Sequence, residues 1–141
     1  MGKQESEQSE KNGDLDRLPH LLQEILAFRD ARDWAQYHTP KDLASGITIE
    51  AGELLECFLW KTPEQVESAL QDPQFREHLG EEIADVAIYT LLLAHGAGMN
   101  LGELIRQKLI LNSKKYPVEL ARGKSTKSAE LLREAAQNQN T

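Results

Sequence analysis

The 141-residue sequence holds a single cysteine, Cys57. No intramolecular disulfide and no thiolate zinc cluster is open to it, and a reducing compartment, the cytoplasm, is the expected location. Long apolar runs are missing as well. No stretch approaches the roughly 20 uncharged residues of a membrane-spanning helix, and the opening MGKQESEQSEKNGD carries no apolar signal core. No membrane partner is expected. Basic charge is in deficit: the net charge of −7 argues against a nucleic-acid polymer as partner. Repeats, low-complexity tracts and clear strand alternation are also lacking. A chain of this length with 40% apolar residues supplies one hydrophobic core.

The charge deficit is unevenly placed. Residues 1–17 and 122–141 together hold seven basic and seven acidic groups, so residues 18–121 carry the whole −7. Within that core, residues 50–85 hold ten acidic groups against Lys61 and Arg76; residues 106–127, which run on into the C-terminal segment, hold seven Lys/Arg against Glu119. The first 17 residues and the segment 122–141 offer little apolar surface to offset the entropy of ordering, and both are expected to be mobile tails around a domain spanning 18–121.

The core reads as all-α. Leu18, Leu21, Leu22, Ile25 and Phe28 recur at helical spacing. Thr39-Pro40-Lys41-Asp42 sets a capping hydroxyl before a first-turn proline, and a long helix is expected from there to about Trp60. Thr62-Pro63 and Asp72-Pro73 repeat the signal, the first before a short polar helix, the second before a helix running to about His95. In the latter, residues 83–94 (IADVAIYTLLLA) are apolar except for Asp85 and Thr90, the pattern of a helix central to a bundle. Gly96 and Gly98 stop it, and a last helix ends by Tyr116-Pro117. The expected fold is a four-helix-bundle-like core with a short extra helix.

Two carboxylate pairs stand at i, i+3: Glu50 with Glu53, and Glu82 with Asp85. Each pair projects from one helix face, and two such helices packed together would gather four carboxylates. Asp85 falls inside the apolar run, where an unpartnered carboxylate is costly. Like charges gathered in this way call for a cation. No histidine stands three residues after a glutamate, which disfavours a di-iron site, and ligands that are all oxygen favour Mg²⁺. Solvated helix faces also carry such pairs, so an acidic docking face on a non-catalytic helical interaction module stays open. Lys108, Lys114 and Lys115 offer phosphate partners or complements to a helix C-terminus. Trp34 and His38 fall in the connection before the second helix and Trp60 at its end, as a lid on the core or a stacking surface for a planar ligand. Tyr89 lies one turn beyond Asp85.

The segments FRDARDWAQYHTPKDL, EAGELLECFLWK, EEIADVAIY and KLILNSKKYP resemble the MazG-type all-α nucleoside triphosphate pyrophosphohydrolases, and most of all their dCTP pyrophosphatase branch. The family pattern is ExxE followed by ExxD, here Glu50/Glu53 and Glu82/Asp85, with the flanks W-x-x-x-H-x-P and N-x-x-x-Y-P. The resemblance spans about residues 21–121. It implies a Mg²⁺-dependent hydrolase that cleaves a triphosphate such as dCTP or a modified dCTP between its α and β phosphates, with a (d)UTP-like substrate as the alternative. It further implies metal binding by Glu50, Glu53, Glu82 and Asp85, with Glu53 as the general base. Trp34, His38, Trp60 and Tyr89 would form the base and sugar pocket, and Lys108, Asn112 and Tyr116 would make further nucleotide contacts. Assembly as a homodimer or homotetramer is implied as well. The sequence departs from the pattern at Ile25, where some members carry a nucleotide-contacting histidine.

Overall fold

The computed structural model describes residues 17–138, and every regular element among them is helical. The order is α1 (Arg17–Asp30), a 3₁₀ turn (Trp34–Tyr37), α2 (Pro40–Glu56), α3 (Pro63–Ala69), α4 (Pro73–Gly96), α5 (Leu101–Lys115), α6 (Val118–Ala121) and α7 (Ser128–Asn138). The N-terminal tail expected over residues 1–17 lies, but for Arg17, outside the described residues.

Local side chains start these helices where the sequence places them. Thr39 Oγ1 accepts from the Asp42 amide at 3.2 Å. Thr62 and Gln65 form a reciprocal capping box, the Gln65 amide donating to Thr62 Oγ1 (3.3 Å) and the Thr62 amide to Gln65 Oε1 (2.8 Å). Asp72 accepts from the Gln74 amide at 3.0 Å. Each cap satisfies an amide that the first helical turn leaves without a partner, and a proline in that turn has no amide to satisfy. Gly98, at φ 69°, turns the chain out of α4 while the Met99 amide closes back on the Ala94 carbonyl at 2.8 Å.

The chain divides into two compact units, one ending at Leu101 and one beginning at Gly102. In the first, α4 packs along α2 and also touches α1. Leu26 of α1, Leu43 of α2 and Leu92 of α4 form the core, with Leu22, Ile25, Tyr89 and Leu93 packed against it. Ile25, at the position of the family departure, is thus spent on packing.

Two expectations are corrected here. The second helix ends at Glu56 rather than near Trp60, because four residues of turn follow and Trp60 itself takes a left-handed φ of 62°. The apolar run 83–94 is not buried all round: Leu91, Leu92 and Ala94 are buried, whereas Ile83 and Ile88 are exposed. Composition gives the apolar content of the run, but only the neighbours of α4 decide which side is covered.

In the second unit, α6 packs on α7. The segment 122–141, expected to be a mobile tail, contains the helix α7, with Leu131 3% exposed. Leu131, Leu132 and the alanines of this helix recur at helical spacing and give it an apolar side, a pattern that overall composition averages away.

Candidate metal and nucleotide site

The face of α2 that meets α4 carries Glu50 and Glu53 one turn apart, and α4 presents Glu82 to the same space. One carboxylate oxygen from each of the three lies within 4.8 Å of the others. Their environments differ. Glu53 is exposed and Glu50 half-buried, while Glu82 is 7% exposed and the one buried charged residue among those described. Glu82 Oε1 stands 3.5 Å from His78 Nδ1, one turn earlier on α4, but Glu82 Oε2 is buried with no hydrogen-bond partner. An orphaned carboxylate oxygen at that depth is costly unless a cation or water meets it.

Burial raises the Glu50 carboxyl above its ordinary range, and repulsion from Glu53, Asp85 and Glu82 raises it further. Asp85 therefore acts on the cluster through its field, although the three-carboxylate group does not include it and its side chain is exposed. Here the sequence expectation needs correction: the deeply placed acid is Glu82, not Asp85. The outer residue of the i, i+3 pair turns to solvent because α2 covers the Glu82 side of α4.

One turn along α2 from Glu50 lies an open cavity of about 300 Å³. His38 and Tyr89, two of the four expected pocket residues, line it together with Tyr37, Ser45, Gly46 and Ile49. His38 Nδ1 is itself buried and has no hydrogen-bond partner. Gly46 and Ile49 precede Glu50 on α2, so cavity and carboxylates are consecutive turns of one helix.

The other two pocket candidates stand apart from this lining. Trp34 packs edge-on against Phe28, with ring centres 5.9 Å apart, and the Arg32 guanidinium lies 3.6 Å from the Phe28 ring centre. Trp60 is 91% exposed. Lys108, Asn112 and Tyr116 belong to the second unit, at i, i+4 and i+8 along and just beyond α5. The Tyr116 amide donates to the Asn112 carbonyl at 2.8 Å, and the Lys115 ammonium lies 5.5 Å from the Tyr116 ring centre. Sequence reasoning missed His78 and Gly46. The i, i+4 spacing of His78 to Glu82 was a usable signal, whereas nothing local distinguishes Gly46.

The family model for the MazG-like family matches residues 46–131, which takes in both carboxylate pairs. The chain belongs to the MazG-like family. Among its relatives is the human (Homo sapiens) dCTP pyrophosphatase 1, 38% identical over 104 residues, covering 74% of this chain and 61% of the relative. The mouse (Mus musculus) dCTP pyrophosphatase 1 is 37% identical over 106 residues, covering 75% and 62%. The chain thus spans about 62% of the length of these curated relatives. A crystal structure of a pyrophosphatase from Archaeoglobus fulgidus superposes with a TM-score of 0.67 at 41% identity, over 72% of this chain and 93% of that one. No helix among the described residues of this MazG-like chain is long and apolar enough to cross a membrane.

The acidic cluster suits a metal on its own chemistry. Three carboxylates within reach of one centre, one with an unpartnered buried oxygen and one with a raised pKa, form a site that a hard divalent cation relieves.

Proposed function

We propose that this MazG-like chain is a Mg²⁺-dependent nucleoside triphosphate pyrophosphohydrolase, converting dCTP or a modified dCTP to the monophosphate and pyrophosphate, and so cleaning the nucleotide pool of the cytoplasm. The observation that carries this reading is the Glu50/Glu53/Glu82 cluster, one turn along α2 from a cavity lined by His38 and Tyr89. The names of the relatives, dCTP pyrophosphatase 1 and a pyrophosphatase, support the reaction class and the base.

Glu50, Glu53, Glu82 and Asp85 would hold the metal, the first three already within reach of one centre and Asp85 one turn beyond Glu82 on α4. Mg²⁺ when bound neutralises phosphate oxygens and lowers the pKa of an attacking water. Glu53 is the most open member of the cluster and so the one placed to take that water's proton. His38 and Tyr89 line the cavity, the imidazole to contact the nucleoside and the Tyr89 ring to give a face for the base or sugar. Trp34 and Trp60 close over the base.

The active form is a homodimer or homotetramer. Supporting this, Leu104, Ile105, Leu109, Ile110 and Leu111 are all exposed on the single helix α5 of the isolated chain, large apolar side chains that a second copy would take out of water.

The test is purified protein with Mg²⁺ and a panel of canonical and modified triphosphates, with product analysis. Monophosphate plus pyrophosphate is expected, fastest from a cytosine deoxynucleotide. Turnover of nothing, or release of orthophosphate with a diphosphate product, would overturn the assignment. Glu53→Gln and Asp85→Asn should each abolish turnover with the helical circular dichroism intact.

A further inference from the structure

Gly46 lies on α2 one turn before Glu50, is buried, and lines the cavity together with Tyr89. A Cβ at position 46 would stand 2.6 Å from Tyr89 Cε1, 2.8 Å from Cδ1 and 3.0 Å from Cζ. Nearly equal distances to three consecutive ring atoms put that Cβ position over the face of the ring, so the tyrosine lies with its face against the bare backbone of α2. Carbon atoms ordinarily meet at about 3.5–4.0 Å, so any side chain at 46 forces the ring to move by roughly 1 Å.

The direction of that movement is constrained. Tyr89 packs against the core cluster, where Leu43 is 2% and Leu92 4% exposed. A close-packed core has no room to receive a displaced ring. The ring's other side is the cavity, which His38 also lines. We propose that Gly46 is a positioning residue for nucleotide recognition: by lacking a side chain, it lets the Tyr89 ring sit back against α2 and keeps the cavity wide enough for the nucleoside. The proposal rests on the hydrolase reading above for the identity of the occupant, and on the Gly46–Tyr89 geometry for the seat itself.

Gly46→Ala then pushes the ring into the cavity. It raises KM for dCTP about tenfold or more, the scale of a 1 Å misplacement, with a much smaller change in kcat because the carboxylates are untouched. Tyr89→Leu also raises KM, and Gly46→Ala adds nothing in that background because no ring remains to displace. A purely structural role for Gly46 would instead lower the melting temperature without moving KM and would add to Tyr89→Leu. Melting curves with and without Mg²⁺ accompany each variant. If Gly46→Ala fails to fold, the double variant, which carries no clash, still reports whether the seat is responsible. Independently of any nucleotide, NMR of the free wild-type protein should show the Gly46 α-protons shifted upfield by the ring, and Tyr89→Leu should return them to ordinary values. Wild-type KM in Gly46→Ala, additive effects, or unshifted α-protons would overturn the proposal. If the wild type cleaves no triphosphate, the hydrolase reading falls and the recognition role with it. The proton shifts then still decide whether the seat exists.

Discussion

Trp60 joins two properties that rarely coincide: a left-handed backbone, at φ 62°, and a large apolar side chain that is 91% exposed. The left-handed region costs a residue with a Cβ roughly 1–2 kcal/mol, and a bulky residue there is an outlier. Since the indole is almost wholly in water, its removal sacrifices little packing. Trp60→Gly removes the backbone penalty but gives the unfolded chain additional freedom worth about 0.5–1 kcal/mol. The net expectation is a gain of about 0.5–1 kcal/mol, a rise in melting temperature of roughly 2–4 °C for a chain of this size. Trp60→Ala is the control, because it removes the ring and keeps the Cβ; it should stay within about 0.5 kcal/mol of wild type. Thermal and urea unfolding of the three proteins, free of Mg²⁺ and nucleotide, measure the difference. If the tryptophan closes over the base as proposed, both variants also raise KM, so that Trp60→Gly is the more stable and the poorer enzyme. Equal stability of the glycine and alanine variants, or a loss in both, would refute the strain argument.

Two other outcomes follow from the site and the core. The raised Glu50 pKa means that the folded chain favours its protonated form, so the stability it contributes is complete below the ordinary carboxylate range and is lost as pH rises through the raised value. Metal-free wild type should therefore match Glu50→Gln at acid pH and fall below it toward neutrality, and Mg²⁺ should stabilise wild type more than the variant; a pH-independent gap in urea midpoints would contradict this. Leu43, 2% exposed between Leu26 and Leu92, should cost about 2–5 kcal/mol when cut to alanine, and a loss below about 1 kcal/mol would show that the core is not seated there.

The features legible in the sequence are those whose cause is local. Thr39-Pro40, Thr62-Pro63 and Asp72-Pro73 announce helix starts because a cap acts within one turn, and all three caps are made. The pairing of Glu50 with Glu53 follows from helical period in the same way. Burial was harder to read. Asp85 stood in the more apolar surroundings along the chain, yet Glu82 is the buried acid, because the side of α4 that α2 covers depends on how two distant segments pack. The helix at 128–138 escaped because its leucines and alanines show as a helical period and not as a high apolar content.

By itself, the sequence determined the helical class, the family and the pair of carboxylate motifs, since capping, periodicity and motif spacing are written in consecutive residues. The tertiary structure alone decided that Glu50, Glu53 and Glu82 converge on one centre and that Glu82 keeps an unsatisfied oxygen. It also placed Tyr89 on Gly46 and left Trp60 strained and open to water. Each of these depends on which atoms two remote helices or a turn bring together, and packing of that kind has no expression in sequence distance.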